Sequence, residues 1–142
     1  MTAILALLAA ASVGSTAPAR APGFTPAKYQ KKGWVARCHA ADDGFAANCE
    51  ARKTDGGFTF RLLTADAHFY VFLEHPACSV EPRGFSREEM VGLRARDRRK
   101  QIINTFDLLD LDLHQACPKL PPVPRSFVTS PDIAIAGEEA LR

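Results

Sequence analysis

Two tetrads of the same form, His75-Pro76-Ala77-Cys78 and His114-Gln115-Ala116-Cys117, hold the residues of this sequence that are best suited to chemistry. Together they offer two imidazoles and two thiols, a donor set that binds zinc or copper. The spacing matches no specific metal-binding pattern, and an oxidising compartment would draw the same thiols into a disulfide. The tetrads therefore predict either a metal site, formed by His75, Cys78, His114 and Cys117, or a disulfide flanked by surface histidines. The disulfide is the expectation that we favour.

Other arrangements that could support catalysis are incomplete. His39 follows Cys38, but neighbours on a strand point to opposite faces, so this histidine would not activate that thiol. The sequence has no G-x-S-x-G elbow. The acidic residues Asp107, Asp110 and Asp112 lack the glycine and the terminal glutamate of a calcium loop. We therefore expect a protein that is not an enzyme and that needs no cofactor.

Cys38 and Cys49 lie symmetrically about the pair Asp43-Gly44. If this pair occupies the centre of a type I′ hairpin turn, cross-strand partners have numbers that sum to 87, and Cys38 faces Cys49. The same register sets Arg37 against Glu50, a pair of opposite charge. Facing Cα atoms lie about 4.5 to 5.5 Å apart, which suits a disulfide. The register predicts this bond, and elimination leaves the other two cysteines, Cys78 and Cys117, as a second disulfide.

A second hairpin is indicated by two alternating runs between residues 58 and 73. With a turn at Ala65-Asp66, partner numbers sum to 131 and one face is apolar. The predicted pairs on that face are Phe58 with Leu73, Phe60 with Val71, and Leu62 with Phe69. The segment Asp55-Gly56-Gly57 connects this hairpin to the first one, which predicts a four-strand antiparallel meander.

The opposite face of the second hairpin carries His68, Tyr70 and Phe72 beside Arg61 and Thr59. We expect a helix that begins near Ser86 to cover these aromatic side chains. If they are uncovered, they form a candidate partner surface, because exposed aromatic patches rimmed by charge mark interfaces. The candidate interaction residues there are Arg61, His68, Tyr70 and Phe72.

The capping box Ser86-Arg87-Glu88-Glu89 predicts the start of that helix. A fifth strand at 102–106 is favoured by β-branched and aromatic residues, and a short final helix is predicted at 108–116. A single long helix over 86–116 is the alternative, and the sequence leaves it open.

Residues 93–100 are strongly basic, and Arg94, Arg98 and Arg99 are the candidate contacts for an anion. Anionic lipid or polysaccharide is the expected class if this run binds anything, although an ordinary solvated face is favoured. No aromatic residue interleaves with the run, so nucleic acid is not expected as a partner.

The chain has 142 residues, 46% of them hydrophobic, and a net charge of +2, which fits one globular domain. Residues 1–19 contain an apolar run and an Ala17-Pro18-Ala19 triplet, which are typical of a secretory signal peptide. We interpret 20–32 as a linker, 33–118 as the disulfide-linked domain and 119–142 as a flexible, Pro-rich tail. A periplasmic or secreted location follows, because four cysteines in an exported chain favour two disulfides.

The segment Gly33-Trp34-Val35-Ala36-Arg37-Cys38, the later Cys49 and Cys78, and the segment Phe106-Asp107-Leu108 resemble the invasion-associated locus B proteins. The chain departs from that family in lacking an aspartate before Trp34. The resemblance implies a β-rich exported protein with an envelope or host-interaction role, and it transfers no catalytic residue. The sequence as a whole predicts a β-rich α+β fold, with four to five antiparallel strands, one or two short helices and two disulfides. The expected partner is an unidentified protein or envelope component.

Overall fold

Six antiparallel strands form one sheet in the residues that the computed structural model describes, which are 29–38, 48–129 and 131–141. They are β1 (Tyr29–Lys31), β2 (Trp34–Cys38), β3 (Cys49–Asp55), β4 (Phe58–Ala65), β5 (His68–Glu74) and β6 (Arg83–Ser86). The strands lie side by side in sequence order. The predicted four-strand meander is confirmed as β2 to β5, and the structure adds one strand at each edge.

The register of the first hairpin is confirmed. Cys38 pairs with Cys49 and Arg37 pairs with Glu50 across β2 and β3. The disulfide Cys38–Cys49 is formed, with its Cα atoms 4.0 Å apart. The predicted turn at Asp43-Gly44 lies outside the described residues.

The register predicted for the second hairpin is wrong by two residues. Leu62 pairs with Val71 and Ala65 pairs with His68, so partner numbers sum to 133. The turn is centred one residue later than predicted, and Asp66 is its first residue. Asp66 takes the left-handed backbone conformation (φ 55°), which aspartate tolerates. A shift of one turn residue changes the sum by two, so every side chain keeps its predicted face.

Four helices occur in the described residues: α1 (Arg87–Gly92), α2 (Ala95–Ala116), α3 (Ser126–Thr129) and α4 (Asp132–Ala140). The capping box is confirmed, because the Ser86 hydroxyl accepts a hydrogen bond from the Glu89 amide. The predicted strand at 102–106 is wrong, since this segment lies within α2. The single-helix alternative is closer, but the helix is interrupted at Leu93-Arg94.

The helices pack on one face of the sheet, with α2 against β5 and α4 against β2, β3 and β4. The core between the two layers contains a cluster of aromatic rings. Phe60 lies 5.0 Å from Phe106, 5.8 Å from Phe127 and 5.9 Å from Trp34, measured between ring centroids. None of the helices in the described part of the chain is long and apolar enough to cross a membrane.

Two of the predicted segment boundaries are corrected. Residues 29–31, which we assigned to the linker, form β1 and pair with β2. Residues 119–142, predicted as a flexible tail, contain α3 and α4, and most of the apolar side chains that the structure describes there are buried in the core. The buried side chains of this segment are Val123, Phe127, Val128, Ile133, Ala136, Ala140 and Leu141. The signal-like residues 1–19 lie outside the described residues.

The β-rich α+β class and the two disulfides are thus confirmed. The second disulfide joins Cys78 to Cys117, with its Cα atoms 6.3 Å apart, and ties the loop after β5 to the end of α2.

Candidate interaction surface of the sheet

The aromatic row, which we define as His68, Tyr70 and Phe72, lies on the face of the sheet opposite the helices. Alternate residues of a strand point to opposite faces, and the intervening Phe69 and Val71 are fully buried in the core. In the row itself His68 is exposed, and Tyr70 and Phe72 are half-buried. The expectation that the helix after Ser86 covers the row is wrong, because that helix buries its Met90 in the core cluster on the other face. No described helix packs over the row.

The rings of the row are in contact along β5. His68 and Tyr70 are stacked, with centroids 5.8 Å apart and an interplanar angle of 24°. Tyr70 and Phe72 follow at 6.2 Å. On the neighbouring strand β6, Gly84 pairs with Tyr70, and a Cβ atom there would lie 3.1 Å from Tyr70 Cε1. Glycine at this position therefore leaves room for the tyrosine ring to lie across the edge of the sheet.

Arg61 completes the row from the adjacent strand β4. Its Cζ atom lies 4.1 Å from the centroid of the Phe72 ring, within the range of a cation–π contact. Glu74 accepts hydrogen bonds from Arg61 Nε and Nη2, at 3.0 and 3.2 Å, and Glu50 accepts one from Nη1 at 2.9 Å. Burial lowers the pKa of Arg61, but the hydrogen bonds and charges of Glu74 and Glu50 together outweigh burial and raise it. The guanidinium is therefore charged and held in one orientation.

A cleft of about 800 Å³ opens beside Phe72, where β5 ends and the chain turns towards β6. It is lined by Phe72, Leu73, Glu74, His75, Cys78, Ser79, Val80, Glu81, Pro82 and Asp112. Three of these residues are acidic. Asp112 binds Arg83 at 2.8 Å and Glu74 binds Arg61, whereas Glu81 is exposed. The cleft thus offers carboxylates next to the last ring of the row.

The residues of the predicted metal site are engaged in other contacts. The disulfide uses the sulfur atoms of Cys78 and Cys117, so neither is a thiolate ligand in this state. His75 Nδ1 accepts a hydrogen bond from the Ala77 amide at 3.1 Å. His114 contacts oxygen atoms of its own helix and of Pro121. Within the described residues, no group of three or more His, Cys, Asp or Glu side chains is placed to hold a metal ion.

The basic run divides into one structural arginine and several exposed cations. Arg98 donates hydrogen bonds to three backbone carbonyls at the end of α1, those of Met90, Val91 and Leu93, at 2.8 to 3.2 Å. The donors of Arg98, one of the predicted anion contacts, are therefore occupied by the fold. Arg94 is exposed and Arg99 is half-buried, and neither side chain has a hydrogen bond or ion pair with the described residues.

Three features of the surface were not predicted: the two carboxylates that hold Arg61, the gap at Gly84, and the cleft. The predicted register of the first hairpin paired Glu50 with Arg37, but the sequence interpretation did not extend that register to β4. Correct pairing of β3 with β4, where Glu50 faces Leu63, brings Glu50 next to Arg61. The cleft depends on the loop 75–82, which has no regular pattern.

The fold and the surface define a disulfide-linked, β-rich α+β domain whose sheet has one face packed on helices and one aromatic face open within the described residues. No protein-family model, curated protein or solved structure matches this chain.

Proposed function

We propose that this chain is an exported, non-enzymatic binding protein that holds a polypeptide partner of the bacterial envelope or of a host on the aromatic row. The observation that supports this proposal most strongly is the continuous ring surface of His68, Tyr70 and Phe72, with Arg61 fixed at its end. It lies on a sheet face that no described helix covers.

The residue types of the row favour a protein partner. Tyrosine, phenylalanine and arginine are enriched at the centres of protein interfaces, where a few such residues supply most of the binding free energy. The row is also preorganised, because Glu74 and Glu50 already hold Arg61 over Phe72. A partner that binds here orders few new side chains, so the entropy cost of association is reduced.

The cleft suggests the chemistry of the partner. Glu81 is exposed beside Phe72, and Glu74 and Asp112 line the same space. A lysine or arginine of the partner can enter there while an adjacent apolar or aromatic segment lies on the row. The proposed partner is therefore a polypeptide that presents a basic residue next to an apolar one.

Export is supported by the signal-like residues 1–19 and by the two disulfides, which form and persist in oxidising compartments. The resemblance to invasion-associated locus B proteins agrees with an envelope or host-interaction role. The alternative of a metal-handling or redox-active protein has less support, because the Cys78–Cys117 bond must be reduced before either sulfur can bind a metal.

The test compares two double variants of the exported protein as bait in envelope and host-cell extracts. Tyr70→Ser with Phe72→Ser removes the row, whereas Leu108→Ser with Leu111→Ser removes two apolar side chains of the helical layer, which are 45% and 53% exposed. We expect the wild type and the helical variant to capture the same protein equally well. The row variant should bind that protein at least about 30-fold more weakly. Glu81→Gln should weaken the same complex by a smaller factor.

Thermal unfolding of the same variants separates binding from folding. Because Tyr70 and Phe72 are only half-buried, we expect the row variant to remain folded. If the row variant loses most of its stability, or if it binds the partner as well as wild type does, the row belongs to the fold and the proposal is wrong. Recovery of the bait from the periplasmic or secreted fraction tests the proposed export.

A further inference from the structure

A cationic patch, which we define as Arg94, Arg96, Arg99 and Lys100, lies at the corner between α1 and α2. Residues 96, 99 and 100 of α2 are spaced by three and four, so they share one side of the helix, and Arg94 directly precedes it. Arg94, Arg96 and Lys100 are exposed. None of the four side chains has an ion pair or hydrogen bond with the part of the chain that is described.

The patch differs from most of the other described arginines. Five described arginines pair with carboxylates: Arg52, Arg61, Arg83, Arg98 and Arg125. Residues 94–100 hold five cations and one carboxylate, a local charge of +4, whereas the whole chain carries +2. Positive charge is therefore concentrated in a segment where most of the cations form no ion pair within the described residues.

The position of the patch is unfavourable for the stability of α2. The first turn of a helix favours acidic side chains and disfavours cations, because the helix dipole is positive there. Asp97 is the only acidic residue in the first turn of α2. Residues that break a local rule without a compensating contact are expected at functional sites.

We propose that the cationic patch docks the protein on an anionic phospholipid bilayer. Guanidinium and ammonium groups bind phosphate headgroups, and each contributes a similar increment near an anionic surface. Val91 is 53% exposed at the same corner, where its carbonyl accepts a hydrogen bond from Arg98, and its side chain can enter the headgroup region. Glu88, Glu89 and Asp97 lower the local potential, so the binding is weak and sensitive to salt.

A bilayer fits the patch better than a nucleic acid does. No aromatic residue occurs between 87 and 104, so bases have no ring to stack on within this segment. The patch also belongs to the helical layer, on the side of the sheet away from the aromatic row. A docked molecule would therefore keep the row accessible. Membrane docking by the cationic patch does not require the polypeptide partner that we propose for the aromatic row.

The experiment measures how the purified protein partitions onto lipid vesicles that contain about one third phosphatidylglycerol and otherwise phosphatidylcholine. The protein is purified from the cell with whatever N-terminus it has there after processing. Each cation contributes about 5-fold to the partition coefficient, so Arg94→Ser with Arg96→Ser and Arg99→Ser should lower it about 100-fold. The matched control, Arg52→Ser with Lys119→Ser and Arg125→Ser, removes the same charge elsewhere and should change it less than about 5-fold. Replacement of the three patch arginines by lysine should preserve binding.

Pure phosphatidylcholine vesicles measure any contribution of the apolar N-terminus, and circular dichroism verifies that each variant is folded. We expect binding to the anionic vesicles alone, with loss as salt rises above about 0.15 M. Equal partitioning onto neutral and anionic vesicles would overturn the proposal, as would equal losses in the patch and control variants. A single-stranded oligonucleotide that binds the patch more tightly than the vesicles do would also overturn it.

Discussion

At the scale of single residues, His114 has oxygen atoms next to both of its ring nitrogens. Nδ1 lies 2.8 Å from Asp110 Oδ1 and 3.1 Å from the Asp110 carbonyl, and Nε2 lies 3.0 Å from the Pro121 carbonyl. The Asp110 and Pro121 carbonyls raise the pKa of His114 above its ordinary value of 6.5. Burial opposes these carbonyls more weakly, and the Asp110 carboxylate adds a smaller increase. The protonated ring can donate to both sides, so it fastens the end of α2 to the following segment.

This contact predicts a pH-dependent contribution to stability. A folded-state pKa above the unfolded value gives a contribution that is fully present below pH 6.5 and is lost as pH rises through the folded-state pKa. Urea denaturation should therefore show that His114→Gln lowers the free energy of unfolding, relative to wild type, more at about pH 5 than at about pH 9. Asp110→Asn should keep part of the effect, because the two carbonyls remain. A deficit that is the same at both pH values would show that His114 acts by packing alone.

The sequence allowed some of these residue roles to be predicted. The Cys38–Cys49 pair followed from the symmetry of the cysteines about Asp43-Gly44, and elimination then gave Cys78–Cys117. The role of Arg61 depends on carboxylates supplied by other strands, and the role of His114 depends in part on the Pro121 carbonyl, so neighbouring residues along the chain reveal neither role fully. The spacing of Asp110 and His114, four residues apart on a helix, was the one local signal, and the sequence interpretation did not use it.

At the scale of elements, α2 shows why a strand was wrongly predicted at 102–106. Composition favoured a strand, because isoleucine, threonine and phenylalanine are common in sheets. The buried residues of α2 instead recur at helical spacing: Ile102, Thr105, Phe106, Leu109 and Leu113. A five-residue window is too short to show this helical period. The period decides the structure, because helical spacing places these side chains on one buried face. The strands of the second hairpin were predicted better, since their alternation extends over both arms of the hairpin.

Arg98 connects two elements, and its removal should destabilise the protein. The guanidinium donates to three carbonyls at the end of α1, of which the Met90 carbonyl also accepts a hydrogen bond from the Leu93 amide, and it approaches Glu138 of α4 at 3.7 Å. Hydrogen bonds to a charged group contribute about 1.5 to 3 kcal/mol, so Arg98→Ala should lower the free energy of unfolding by about 2 kcal/mol. Arg98→Lys should recover only part of this loss, because lysine lacks the planar fork of donors.

The neighbouring Arg99 provides the control for Arg98. Its side chain has no described partner, so Arg99→Ala should change the free energy of unfolding by no more than about 0.5 kcal/mol in the same urea titration. Equal effects of the two substitutions would mean that the three carbonyls do not depend on Arg98.

At the scale of the whole molecule, residues 119–141 close the core that the sequence assigned to residues 33–118 alone. The prolines of this segment led us to predict a flexible tail, whereas its apolar residues recur at helical spacing after them. The segment is also held to the sheet by polar contacts: Ser126 donates to Asp55 at 2.5 Å, Lys53 donates to the Ser126 carbonyl, and the Thr64 hydroxyl donates to the Ala140 carbonyl. These contacts span more than 70 residues of sequence, so no local pattern could have predicted them.

Phe127 should therefore be essential to the stability of the entire domain. Its ring is fully buried between Phe60 and Phe106, at 5.8 and 6.0 Å, so it belongs to the central aromatic cluster. Truncation of a buried phenylalanine costs about 3 to 5 kcal/mol, a large share of the roughly 5 to 15 kcal/mol that stabilises a domain. Phe127→Ala should lower the urea midpoint strongly, while Ile135→Ala, at a side chain that is 38% exposed on α4, should lower it far less. If the two variants unfolded at the wild-type midpoint, the segment would be the detached tail that its prolines suggested, and the core would have to be complete without it.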